Sequence, residues 1–190
     1  MAKSFVAGFL VGVLLLVGGL YYYFASGMAP AAAGDSPMPF EKKLAQKALN
    51  AHIQKQSVPS PSVTADEPNL LAGAKVYKEN CAGCHGLPGQ TPPVIANAMY
   101  PHATLLFKGK GVTDDPASES YWKAVNGIRL TGMPSFKNAL TDAQLWQVSQ
   151  LVAHSNEISD SVKKELMPEP APATQPPAPA PARARASKQE

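Results

Sequence analysis

The sequence predicts an all-α protein: one small helical domain, preceded by a single membrane-spanning helix and followed by a disordered tail. Three observations predict it. Apolar residues recur at helical spacing in two stretches of the central block, Leu70-Ala74-Tyr77-Cys81 and Leu145-Val148-Leu151-Val152. Helix-start signatures stand at Asp115-Pro116 and at Thr141-x-x-Gln144. No stretch reads as an extended sheet.

The first element is the run Phe5 to Phe24, twenty residues without a charge, closed by Tyr21-Tyr22-Tyr23. As a helix it extends about 30 Å, the thickness of a bilayer's hydrocarbon core. The tyrosines fall where an interfacial aromatic belt belongs. Residues 1–24 therefore read as a retained anchor. A cleaved signal peptide is the alternative, with Ala25-Ser26-Gly27 as its small-residue cleavage site. Lys3 places the N-terminus on the cytoplasmic side, although Lys42 and Lys43 blur the comparison. Gly8 and Gly12 form a G-x-x-x-G pair, read here as incidental to a glycine-bearing span.

Residues 25–68 read as a flexible tether. Treated as coil, its 44 residues reach roughly 35–40 Å. Within it Phe40 to Gln56 is helix-prone, with a thin apolar stripe of Leu44, Ala48 and Leu49, and reads as a solvated short helix. At the other end, residues 168–190 repeat Ala-Pro pairs and predict a disordered, polyproline-like segment.

The compact part is residues 69–167. A first helix runs from Leu70 to Asn80, and Gly73 in its middle costs about 1 kcal/mol relative to alanine, which points to a close helix crossing. Asp115-Pro116 supplies an N-cap and first-turn pair for a second helix to Asn126, with Gly127 as its left-handed stop. The Thr141 capping box opens a third helix, Asp142 to Asn156, with Trp146 at the margin of its buried stripe. Tyr77 and Trp146 read as packing between the first and last helices.

Both cysteines of the chain lie in Cys81-Ala82-Gly83-Cys84-His85. C-x-x-C-H is the attachment pattern of c-type haem, because residues three and four apart on a helix share a face. Two thiols can then add to the haem vinyl groups while the imidazole binds iron. Competing uses fit less well: zinc usually needs four ligands, a thioredoxin-like dithiol needs a βαβ frame, and a structural disulfide has no need of the histidine.

With these elements on the page, the sequence resembles the mono-haem class I cytochromes c: a helix ending in C-x-x-C-H-G, a loop, short helices, a Met-Pro loop and a C-terminal helix. The run Tyr121 to Phe136, containing Gly132-Met133-Pro134, is similar to the distal-ligand region of bacterial members. The likeness covers about residues 69–160. It implies one haem c bound covalently through Cys81 and Cys84, with His85 as proximal and Met133 as distal iron ligand. It also implies a proline carbonyl accepting the other N–H of the proximal imidazole, from Pro92 or Pro93. The segment Ala96 to Lys110 departs from compact members in length and content.

Met133 also stands on its chemistry. A thioether is soft and weakly basic, so it favours ferrous iron and raises the potential relative to a second histidine. Met99, Met167, His102, His154 and His52 are the rival ligands. A six-coordinate haem leaves no position for substrate, so the expected role is electron transfer, not catalysis. A peroxidase-like haem enzyme with a labile sixth ligand is the alternative. The resemblance to bacterial c-type proteins implies a haem domain on the periplasmic side of the cytoplasmic membrane, serving redox partners or subunits of a respiratory or dehydrogenase complex. Lys108, Lys110, Lys123, Arg129 and Lys137 could form a docking rim for an acidic partner, or be scattered solvated cations. Nine Lys/Arg against eight Asp/Glu in residues 69–167 leave a net of +1, which excludes a nucleic-acid-binding stripe.

Overall fold

A computed structural model describes residues 2–108 and 115–167. The expected tail, 168–190, and Lys110 of the expected rim lie outside the described residues. Among those described there are eight helices and no strand.

Helix α1, Ala2–Ala25, contains the expected apolar run and buries none of its side chains. Among the described residues it is the one helix long and apolar enough to cross a membrane. Helix α2, Glu41–Gln54, occupies the helix-prone part of the tether. It is not wholly solvated, because Ile53 is only 7% exposed.

Helix α3, Glu67–Asn80, starts three residues before the expected Leu70, since Asp66 is its N-cap and accepts a hydrogen bond from the Asn69 N–H. A one-turn helix, α4 (Ala82–His85), follows directly, and a second short helix is α5, Val94–Ala98. Helix α6 is Ala117–Asn126 and α7 is Asp142–Ala153. The α7 capping box is formed in both directions between Thr141 and Gln144. The helix stops short of the expected Asn156 at His154, whose φ of −109° and ψ of 19° leave the helical region while its ring donates to the Gln150 carbonyl. An unexpected last helix, α8 (Asp160–Leu166), begins at the Ser159 cap.

The core forms where α3 meets α7 and α8. Leu70, Ala74, Val76 and Tyr77 meet Val148, Leu151, Val152, Val162 and Leu166 there. Each fully buried aliphatic side chain contributes about 1.5–3 kcal/mol. Gly73 marks the crossing: a Cβ there would lie 2.8 Å from the Gln147 carbonyl carbon and closer still to its oxygen. Alanine could not sit in that contact without moving a backbone.

Three local expectations change. Trp146 is not marginal but 1% exposed, stacked at 4.0 Å and 11° on Tyr121 of α6, so it joins α6 to α7. Asp115 does not cap α6; Pro116 holds that position, and the Asp115 carboxylate pairs with Lys123 at 3.3 Å. Gly127 does end α6 with positive φ (68°), but its ψ of −177° is the extended, glycine-only region, not the left-handed helical one.

Candidate haem-binding site

Cys81 ends α3 and begins α4. Its N–H donates to the Tyr77 carbonyl at 2.8 Å, and its own carbonyl accepts from the N–H groups of Cys84 and His85. Its φ of −115° breaks the two helices apart, so the motif occupies a separate turn and not the end of one continuous helix. Gly86, with φ 74°, turns the chain away. The buried Tyr77 hydroxyl donates to the Gly86 carbonyl at 2.7 Å and fixes that exit. Burial raises the Tyr77 pKa, which keeps the hydroxyl a donor.

Both thiols are free and half-buried. Burial, and then the neighbouring Cys84, push the Cys81 thiol up to about 12. Among the described residues no group of three or more His, Cys, Asp or Glu side chains gathers around a point that could hold an ion.

His85 is half-buried, and its Nδ1–H donates to the Thr104 carbonyl at 2.7 Å. The acceptor expected from Pro92 or Pro93 is thus supplied by Thr104. Pro93 instead packs near Gly86, its Cδ 3.4 Å from where a Cβ on that glycine would lie. A proton fixed on Nδ1 leaves the lone pair on Nε2, the tautomer a metal requires. A cavity of about 270 Å³ opens beside the ring, lined by Leu87, Pro92, Leu105 and Phe107 among others. Two free thiols, a metal-ready imidazole and a partly apolar wall fit a covalently held haem better than a bare ion.

Met133 lies half-buried on the loop between α6 and α7, which is pinned at several points. Its N–H donates to the Thr131 hydroxyl oxygen at 3.1 Å, and that hydroxyl donates to the Ile128 carbonyl at 2.7 Å. The Ile128 N–H returns to the Met133 carbonyl at 3.2 Å. Ser135 Oγ donates to the Val125 carbonyl at 2.6 Å, tying the loop to the end of α6. The Met99 sulfur packs against Gly132, 3.0 Å from where a Cβ would be, and so links the segment after α5 to this loop. Thr131, Met99 and Thr104 have supporting parts that no spacing in the sequence discloses.

The rival ligands are placed as follows. Met99 is the packing residue just described, and Met167 and His102 are exposed. His154 bonds its own helix, and the His52 ring meets Trp122 edge-on at 5.6 Å. Of the expected rim, Lys123 is engaged by Asp115 and by Glu119 at 2.7 Å, whereas Lys108, Arg129 and Lys137 are exposed.

Residues 68–152 match the family model described as Cytochrome C oxidase, cbb3-type, subunit III. The chain is 30% identical over 89 residues to cytochrome c6 of Limnospira maxima, covering 47% of this chain and 96% of that relative. A solved structure of the reducing HAO-like protein complex of Kuenenia stuttgartiensis superposes loosely, with a TM-score of 0.44 and 27% identity. That match covers 51% of this chain and about half (47%) of the solved one.

Proposed function

The chain belongs to the mono-haem class I cytochromes c, and from that premise we propose that it is a membrane-tethered carrier of single electrons. Membership makes it a c-type cytochrome for electron transfer, not an enzyme. In the reading proposed here, Cys81 and Cys84 hold one haem c by thioether bonds, with His85 and Met133 as the axial ligands. The bond from His85 Nδ1 to the Thr104 carbonyl carries this reading most directly, because it frees Nε2 for iron beside two unpaired thiols.

When bound, the haem supplies a one-electron Fe(III)/Fe(II) couple. The protein's own residues set the conditions for it. Thr104 holds the imidazole's tautomer and orientation and makes it a stronger donor. Thr131 and Ser135 hold the Met133 loop in one geometry, so ligation need not rearrange between oxidation states. The Met133 thioether favours the ferrous form. Were His85 and Met133 both to hold the iron, the haem would supply electron exchange with no position left for a substrate.

Helix α1 anchors the protein in the bacterial cytoplasmic membrane, with the haem domain on the periplasmic face. Its partners are redox proteins or subunits of a membrane oxidoreductase complex; the match to a family described as an oxidase subunit supports this. The test is a haem stain after denaturing electrophoresis, with co-purification from solubilised membranes of the native host. Native protein should stain and Cys84→Ala should lose most of the stain; equal staining overturns covalent attachment through Cys84.

A further inference from the structure

The tether is folded onto the haem domain. At its start, the N–H groups of Ala31 and Ala32 donate to the Asp35 carboxylate at 2.9 and 2.8 Å and close a turn. Residues of this turn, with Pro37 and Glu41, share a cavity of about 240 Å³ with Tyr100 of the haem domain. Tyr100 follows Met99, which packs on Gly132 beside Met133. Further on, α2 brings His52 against Trp122 of α6, and the next residue, Ile53, is 7% exposed. A lone helix has no interior that could bury Ile53, whereas Leu44 on the same helix remains 64% exposed. The chain then runs along α7, where Ser62 Oγ donates to Asp142 and Gln150 Nε2 donates to the Val63 carbonyl, both at 3.1 Å.

These contacts shorten the leash. From Ala25, the last residue of α1, to Pro30, the first tether residue facing Tyr100, is a handful of residues, spanning at most about 18 Å when fully extended. The same tether released as coil would reach roughly 35 Å on average and farther in its extended states. We infer that residues 30–55 form a strap that docks across Tyr100 and Trp122 and holds the haem domain against the membrane. The docked protein then serves a partner whose redox centre opens at the membrane surface, and release of the strap is what lets the domain reach farther. This rests on α1 being a retained anchor, as proposed above.

The test uses the full-length holoprotein in liposomes carrying a trace of headgroup-labelled fluorescent lipid, with amide hydrogen exchange measured on the same sample. A helix of this length is marginal in isolation, so slow exchange in α2 requires docking. In the native protein α2 should be protected, and the haem should quench the labelled headgroups. Ile53→Asp should speed α2 exchange about tenfold or more and reduce the quenching, while α3 and α7 stay protected and the haem spectrum is unchanged. Trp122→Ala, which removes the docking partner from the other side, should give the same two changes. Native α2 exchanging like an unfolded peptide overturns the strap. So does quenching that stays the same once α2 exchanges freely. A colourless protein would overturn the haem assignment instead, and the exchange data would still decide the strap.

Discussion

The imidazole of His85 is held by the main chain of a residue nineteen positions later, its Nδ1–H donating to the Thr104 carbonyl at 2.7 Å. Because the acceptor is a backbone atom, the side chain of Thr104 is dispensable and the path of the backbone is not. Thr104→Ala should leave the reduction potential unchanged. Thr104→Gly, which frees the backbone, should slacken the bond, weaken the imidazole as a donor and raise the potential. A redox titration of the two variants checks this, and an equal shift in both would assign the role to the side chain.

Gly127 and the Met133 loop are packed without room for a methyl group. A Cβ at Gly127 would lie 2.8 Å from both the Pro134 carbonyl carbon and the Ser135 nitrogen, on a residue whose φ is 68°. Gly127→Ala should therefore displace the loop, weaken the methionine-to-iron charge-transfer band and cost about 1–3 kcal/mol of stability. Gly34→Ala, where nothing lies within 4 Å, is the control and should change neither. Absorption and thermal denaturation of the two variants give the comparison.

Helix α8 is short but closes the core, with Val162 and Leu166 both fully buried. Leu166→Ala should destabilise the domain by about 2–5 kcal/mol, lowering its melting temperature by several degrees or more. A loss below about 1 kcal/mol would mean that α8 does not belong to the cooperative unit.

Local signals made much of this domain legible. The C-x-x-C-H spacing, the Thr141 capping box and the recurrence of Leu70, Ala74 and Tyr77 at four and then three residues each depend on neighbours a few positions away. What escaped depends on distant partners. Helix α8 has only Val162 and Leu166 on its buried face, too few for periodicity to mark, and α3 alone makes sense of them. Trp146 looked marginal on its own helix because the surface that covers it, Tyr121, belongs to another. The Thr104 carbonyl is invisible in sequence because any residue carries one. The docked tether was missed for a similar reason: His52 meets Trp122, a residue of the domain beyond the linker.

The central claim, that one haem sits between the His85 nitrogen and the Met133 sulfur and therefore only passes electrons, is tested most directly by the ferric spectrum of the full-length protein beside that of Met133→Ala. The native protein should be low-spin, show the methionine-to-iron band at the red end of the visible range and resist carbon monoxide when reduced. The variant should lose that band, bind carbon monoxide and titrate at a lower potential. A native spectrum that is already high-spin, or a variant spectrum that matches the native one, would contradict the account.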